Sequence, residues 1–467
     1  MNDARAVRQE PGSITIHDPR DSSLVGTLPA ASEDQVAEAC ACAGAAFAVW
    51  SRTAPADRGA ALSSAAAVLE RHADELAALN ERETGKPFDD ARGGVLAGVG
   101  TLRQYAEIGP LHQGTTLAGA FDAIDYSVPE PRGVVAIVTP WNDPVAIACG
   151  LIGAALVTGN TAVHKPSERC PHTGERLGEL LAEAFPHGVL ATVTGDGQIG
   201  EQLITRPQVA MVAHVGSTAA GERIARAAAL TGAHVIRENG GNDALIVDCG
   251  VDVGWAAAQA ALGCFANSGQ ICTSVERIFV HQDVADEFVD AVCAEARARN
   301  ESGGLGPLVD ERMRASVHQQ VSESVTRGAR VLVGGQIAPG PGAAYPATVI
   351  VDCDDRMPLF AEETFGPVAA IQRVSSFDEA LAAASADRYG LAATVLTPSL
   401  EHARRAATEL PVGTVKVNAV FGGAPGGSAE PRGASGSGFG YGPRLLDEMT
   451  LLKVVHLGPA QTSPLAT

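Results

Sequence analysis

The stretch GVVAIVTPWNDPVAIACGLIGAALVTGNTAVHK, residues 133–165, sets a β-branched run, a proline-led apolar stretch and a second short run ending on Lys165 in immediate succession. The apolar part, VAIACGLIGAALV from Val145 to Val157, is shorter than the roughly 20 residues a bilayer needs and follows a Trp-Asn-Asp-Pro break, so it reads as a buried helix. Strand, helix, strand is the unit of a parallel sheet. The alternation continues through LATVT, VAMVAHV and AHVIRE, with helical stretches of about 10 to 15 residues between them, which predicts an α/β fold.

Working outward, Ser32 followed by Glu33 and Asp34 reads as a capped helix start running to Trp50. A second helical pattern carries Leu62, Leu69, Leu76 and Leu79 and stops near Gly85-Lys86-Pro87. On the C-terminal side a second α/β series begins at DALIVD, 243–248, and continues through a helix at 253–268, the strand RIFVH and a helix at 283–298. The segment FGGAPGGSAEPRGASGSGFGYG, 421–442, is either a flexible linker or an ordered loop whose backbone needs glycine, and composition leaves both open.

A chain of 467 residues exceeds what one hydrophobic core usually serves, so two large domains are expected. A net charge of -20, with no Lys/Arg run, makes nucleic acid and anionic membranes poor partners. The opening MNDARAVRQEPGS has no apolar core of a signal peptide, which points to a cytoplasmic protein. Nine cysteines without C-x-x-C or His/Cys zinc spacing argue against disulfides and structural metal.

Two turns are candidates for holding phosphate. VTGDGQIG places Gly195, Gly197 and Gly200 in a G-x-G-x-x-G pattern after a predicted strand, although no acidic residue ends a strand about 20 positions on. HVGSTAAG places Gly216 and Ser217 at a helix start, where N–H groups and a hydroxyl can take an anion. Cys272 sits in FANSGQICTSVER, where small residues would let a carbonyl and a flat cofactor ring approach the sulfur from two sides. A thiol near pKa 8.5 is mostly protonated at neutral pH, so a nucleophile here needs helix N–H groups, a base or a cofactor's positive charge. Taken alone, Cys272 reads as well as a small buried hydrophobe like Cys149 or Cys264.

The neighbourhood resembles the aldehyde dehydrogenase superfamily, of the NAD(P)-dependent, non-acylating type. FANSGQIC is similar to its nucleophile motif and RENGGNDA, with Glu238, to its general-base motif. TPWNDP is similar to the segment, Thr139-Pro140-Trp141-Asn142, whose asparagine helps form an oxyanion hole. GNTAVHKPSE resembles the adenine-ribose motif, with Lys165, Ser167 and Glu168, and EETFGPV the motif with Glu363 and Phe365 on the nicotinamide side. ETGKP at 83–87 is a further hallmark.

The resemblance implies Cys272, Glu238 and Asn142 as catalytic residues, and Thr139, Pro140, Trp141, Lys165, Ser167, Glu168, Gly195, Gly200, Gly216, Ser217, Asn239, Glu363 and Phe365 at the cofactor, with no metal. It implies oxidation of a small-molecule aldehyde to an acid through a Cys272 thiohemiacetal and thioester, hydrolysed by water that Glu238 activates. NAD is the expected cofactor, because Glu168 would accept a bond from a ribose 2′-hydroxyl and repel a 2′-phosphate, with NADP possible. The implied organisation is a Rossmann-like NAD-binding domain (1–121 and 133–239), a catalytic domain (240–424) and a small β oligomerisation arm (122–132 and 443–460) that joins a homodimer or homotetramer. Alternatives are a CoA-acylating enzyme, an inactive member acting as a binding protein, and a cysteine hydrolase, for which no histidine is suitably placed.

Four departures bear on the pocket. Asp143 replaces an aromatic or aliphatic residue, which would disfavour anionic aldehydes; Asn242 and Asn239 replace a lysine and a leucine; His214-Val215 replace Phe-Thr; and PRGASGSG around Pro431 departs from P-F-G-G. His214 reads as local repacking of a strand end more readily than as a catalytic group.

Overall fold

The computed structural model describes residues 12–422 and 427–460. The sequence reading of residues 1–11, and of positions 423–426 in the glycine-rich segment, lies outside the described residues.

Two mostly parallel sheets carry the chain. The first runs in the order Leu190–Thr192, Thr161–Lys165, Val134–Val138, Val209–Val215, His234–Glu238, with the short strand Gly436–Ser437 added antiparallel at the edge. Chain order reverses direction between Val134–Val138 and Val209–Val215. Such a switch point opens a crevice at the carboxyl ends of the strands, and these two strands lead directly into Thr139-Pro140-Trp141-Asn142 and Gly216-Ser217. The stretch 133–165 is therefore the element that sets up a site. Its helix, Pro144–Val157, is buried almost along its length, with Leu151, Ile152 and Leu156 packed against Leu62, Leu102 and Tyr105 from two earlier helices. Val36, Cys40 and Ala43 of helix Glu33–Trp50 cover the opposite face. Ser32 caps that helix as expected, in a capping box with Gln35.

The second sheet has the order Arg330–Val333, Thr348–Val351, Val368–Val374, Val275–His281, Asp243–Val247, Ala392–Leu396, Thr414–Val417, all parallel except its first edge strand. A third, antiparallel sheet pairs Ile124–Pro131 with Thr450–Leu457 and adds Thr116–Leu117. It exposes Ile124, Leu451, Leu452, Val454 and Leu457, while Leu445, Leu446 and Met449, just before its last strand, lie in the core of the first sheet.

Three expectations need correction. The pattern Leu62 to Leu79 is two helices, Pro55–Arg71 and Ala73–Thr84, because His72 leaves helical geometry at φ -106°, ψ 15°. The helix expected over 253–268 ends at Phe265; Asn267 and Ser268 take left-handed φ values of 47° and 56°. The helix expected at 283–298 spans Gln282–Ser302. The glycine-rich segment is ordered where it is described, with short strands at Arg432–Gly433 and Gly436–Ser437. All nine cysteines are free, and no helix among the described residues is long and apolar enough to cross a membrane.

Candidate active site

The loop before Cys272 is fixed rather than flexible. Asn267, Ser268 and Gly269 run through three successive left-handed conformations, which for the first two costs on the order of 1–2 kcal/mol each. Buried bonds hold them there: the Ser268 hydroxyl donates to the Gly306 carbonyl at 2.6 Å. Gln270 is 2% exposed and donates to the Asn267 and Pro307 carbonyls while accepting from Val309 N–H at 2.9 Å. The small residues are thus needed for a tight turn that aims the sulfur.

Cys272, Glu238 and Asn142 meet in one cavity of about 760 Å³. The Cys272 thiol donates to Glu238 Oε1 at 3.5 Å. Asn142 Nδ2 donates to the Gln270 carbonyl at 3.1 Å, which leaves its second N–H for the cleft. The Cys272 N–H has no acceptor among the described residues. The paired glycines after Asn239 are required by close approach: a Cβ on Gly240 would lie 2.1 Å from Glu363 Oε2, and one on Gly241 would lie 2.6 Å from the Cys272 carbonyl oxygen.

Electrostatics decide the resting state of the sulfur. Burial first, then the charges of Glu238, Asp243 and Glu363, push the Cys272 thiol well above its usual range. The Lys416 ammonium, which also feels the sulfur, does not outweigh them, so the thiol is protonated in the cofactor-free chain. Of the three activators considered from sequence, the structure places one candidate beside the sulfur, the Glu238 carboxylate. Burial also raises Glu238, with the thiol bond pulling it back down.

Trp141 and Phe365 pack edge to face at 5.6 Å. Phe365 holds φ 52°, unusual for a bulky side chain, and Glu363 Oε1 accepts the Gly241 N–H at 3.0 Å. Burial, followed by the neighbouring Glu276, pushes Glu363 up to about 8. Glu276 was not anticipated. Its carboxylate accepts the N–H of Thr364 at 3.1 Å and of Phe365 at 3.0 Å. Two such bonds, at about 1.5–3 kcal/mol each, outweigh the 1–3 kcal/mol or so that a strained φ costs. The signal was present as two adjacent charges, Glu276 and Arg277, inside the otherwise apolar run VERIFVH.

A separate cavity of about 840 Å³ lies between helices Gly197–Ile204 and Thr218–Thr231 and includes Val138, Lys165, Gly200 and Ile224. Lys165 is pinned by the Pro166 and Gly195 carbonyls at 2.7 and 2.6 Å. Glu168 lines a neighbouring cavity that shares Asp196 and Gln198 with this one. Thr139 Oγ1 bonds His164 Nε2 at 2.8 Å, Ser167 Oγ accepts the Arg169 N–H, and Ser217 caps its helix by accepting the Ala220 N–H. Apolar walls with a lysine at one end and a helix N-terminus at the other suit an adenine nucleotide.

The ETGKP hallmark acquires a physical role. Glu83, fully buried, accepts four bonds from the backbone and side chains of His172 and Thr173, capping the helix that follows the adenine-ribose motif. Lys86 reaches the Asn142 carbonyl and Asp143 Oδ1, both at 3.4 Å. Asn239 donates to the Ala434 carbonyl at 2.9 Å. Asn242 points away from the cleft, to the Phe360 carbonyl and to Asp387, which pairs with Arg277. His214 is 3% exposed under the Gly216 turn, and burial pushes it down to about 4, so it stays neutral. The segment after Pro431 pairs with the strand ending at Glu238 and brings Tyr441 into the catalytic cavity.

Comparison with known proteins agrees with this geometry. The sequence profile described as "Aldehyde dehydrogenase family" matches residues 6–455. Betaine aldehyde dehydrogenase of Cereibacter sphaeroides is 34% identical over 426 residues, covering 89% of this chain and 88% of its own. An aldehyde dehydrogenase of Paenarthrobacter nicotinovorans is 35% identical, covering 87% and 91%. The crystal structure of an NAD-dependent aldehyde dehydrogenase from Sinorhizobium meliloti superposes with a TM-score of 0.93 at 33% identity, covering 97% of this chain and 93% of that one. A thiol, a carboxylate and an amide converging at a strand switch point, in a chain matched along nearly its whole length, place this protein in the aldehyde dehydrogenase family.

Proposed function

We propose that this chain oxidises a small aldehyde to its carboxylic acid with NAD, using Cys272 as nucleophile, Asn142 as oxyanion donor and Glu238 as base. The observation that carries this reading is the meeting of Cys272 and Glu238 at 3.5 Å beside Asn142 in one cavity. Lys165, Glu168, Gly195, Gly200, Gly216 and Ser217 would hold the adenosine and phosphate end of the cofactor, and Thr139, Pro140, Trp141, Asn239, Glu363 and Phe365 the nicotinamide end. When bound, NAD supplies the two-electron acceptor. The Cys272 proton passes to Glu238 as the sulfur adds to the carbonyl carbon, and the Asn142 amide and Cys272 N–H stabilise the resulting oxyanion. Once the carbon on sulfur is a thioester, Glu238, having given the first proton up to solvent, takes a proton from water, which attacks the acyl carbon, expels the Cys272 sulfur as thiolate and releases the acid.

Asn142→Ala is expected to lower kcat by about 100- to 1,000-fold with little change in NAD affinity. Steady-state kinetics check this, and a loss of less than about threefold would remove Asn142 from the oxyanion site.

A finer reading concerns the aldehyde. Besides Glu238, Asp143 lines the catalytic cavity with Asp89 and Asp90, three further carboxylates to the one ammonium of Lys86. A unit charge about 6 Å away at an effective dielectric of about 20 feels each such group by about 3 kcal/mol, before Lys86 offsets part of it. Neutral, hydroxylated or cationic aldehydes should therefore exceed a dicarboxylic semialdehyde in kcat/KM by about tenfold or more. The relatives named for betaine aldehyde, a cation, fit this direction. An NADH-formation screen across these classes tests both the activity and the preference. No NADH from any aldehyde defeats the reading, preference for the dicarboxylic semialdehyde defeats the Asp143 argument, and acceleration by coenzyme A would favour the acylating alternative.

We further propose three units: an NAD-binding domain of 1–121 and 133–239, a catalytic domain of 240–424, and an arm of 122–132 and 443–460. The arm's exposed apolar face supports assembly as a homodimer or homotetramer.

A further inference from the structure

We propose that Glu276 is a positioning residue for the cofactor: its carboxylate holds the turn carrying Glu363 and Phe365 at a set distance from the Cys272 sulfur. The inference rests on the reading of Glu363 and Phe365 as nicotinamide-side residues. Glu276 stands on the strand Val275–His281, which leaves the nucleophile loop directly, and is 5% exposed. Its Oε2 accepts the Thr364 N–H and its Oε1 the Phe365 N–H, at 3.1 and 3.0 Å. Those two N–H groups belong to the residues between which the backbone swings to the left-handed φ of 52° at Phe365.

The turn is closed from its other side by Gln320, whose Nε2 donates to the Glu363 carbonyl at 3.0 Å and whose Oε1 accepts the Thr364 hydroxyl at 3.1 Å. Nucleophile loop and turn also touch backbone to backbone: a Cβ on Gly269 would lie 2.1 Å from the Gly366 carbonyl oxygen. Glu276 thus ties together the two segments that must face each other across the bound ring. Two acceptors are required of it. Glutamine fills the same volume but turns one acceptor into a donor that meets an N–H head on, so it can keep only one of the two bonds.

Among the described residues the Cys272 thiol bonds Glu238 and the Glu276 carboxylate bonds Thr364 and Phe365, with no hydrogen bond between the two, and this separates a positioning role from a general structural one. Glu276→Gln is expected to weaken NADH binding, followed by nicotinamide fluorescence, and to raise the KM for NAD, each by about tenfold. Iodoacetamide should alkylate Cys272 in the cofactor-free variant within about twofold of the wild-type rate, whereas a merely structural defect would alter alkylation and melting temperature together. Glu363→Gln is measured alongside and should also weaken NADH. Loss of affinity in the Glu363 variant with none in the Glu276 variant overturns the inference alone. No loss in either overturns the reading beneath it and the inference with it. If Glu276→Gln does not fold, hydrogen exchange in the wild-type protein decides: the Thr364 and Phe365 amides should be strongly protected, and exchange at the rate of open loops overturns the proposal.

Discussion

Cys272→Ala protein mixed with NAD and an accepted aldehyde is expected to give neither a burst of NADH nor steady turnover, a loss of at least about four orders of magnitude. The size follows from chemistry, since without the sulfur there is no tetrahedral carbon from which a hydride can leave and no thioester to hydrolyse. Eight other cysteines cannot substitute. None of them lines the cavity that holds Glu238 and Asn142, and Cys149, Cys170 and Cys264 are buried elsewhere, where burial pushes each thiol up from its usual range. The same physics sets a second expectation, because burial and then the neighbouring Glu238 keep Cys272 protonated in the cofactor-free chain. Iodoacetamide should therefore modify Cys272 slowly at pH 7 without cofactor and faster with NAD present, whose pyridinium charge favours the thiolate. Full turnover by an enzyme shown by mass spectrometry to be alkylated at Cys272 would sink the assignment.

The elements that sequence made legible are those with one dominant local cause. Runs such as VVAIVT and DALIV are strands of parallel sheets buried on both faces, so they carry nearly unbroken β-branched residues. Ser32 caps its helix because a serine followed by acidic residues does so locally. What escaped depended on distant partners. His72 carries no glycine or proline, so nothing local marks the break between Pro55–Arg71 and Ala73–Thr84. Ser268 and Phe365 adopt left-handed backbone only because buried hydrogen bonds from far along the chain hold them there. The motif residues Cys272, Glu238 and Asn142 could be named from their neighbours, yet the protonated resting thiol follows from burial beside Asp243 and Glu363, which only the fold brings together. Glu83 and Lys86 could be quoted as a motif, but their work, capping one helix and holding the Asn142 segment, is visible only in three dimensions.

Glu238→Gln should separate the two halves of the reaction. The amide cannot take a proton, so hydrolysis of the Cys272 thioester loses its base and steady-state kcat is expected to fall by about 100- to 10,000-fold. The first equivalent of NADH should still appear, more slowly than in wild type, because bulk solvent can accept the thiol proton even though it cannot orient a water against the thioester. Quenched-flow measurement of burst and steady state makes the comparison, and an equal loss in both phases would mean that Glu238 serves addition alone. The pH profile gives an independent sign. A base acts only when deprotonated, and burial raises Glu238 above its ordinary value, so wild-type kcat should climb with pH through a limb lying above the usual carboxylate range of about 4.3. The one interaction that lowers this carboxylate is the hydrogen bond from the Cys272 thiol, and that proton is gone once sulfur carries the acyl group. Acylation thus removes the one influence that lowers Glu238 in the free enzyme. The acid limb of wild-type kcat should accordingly sit at higher pH than Glu238 titrates in the cofactor-free protein, and the glutamine variant should show no such limb over the same range.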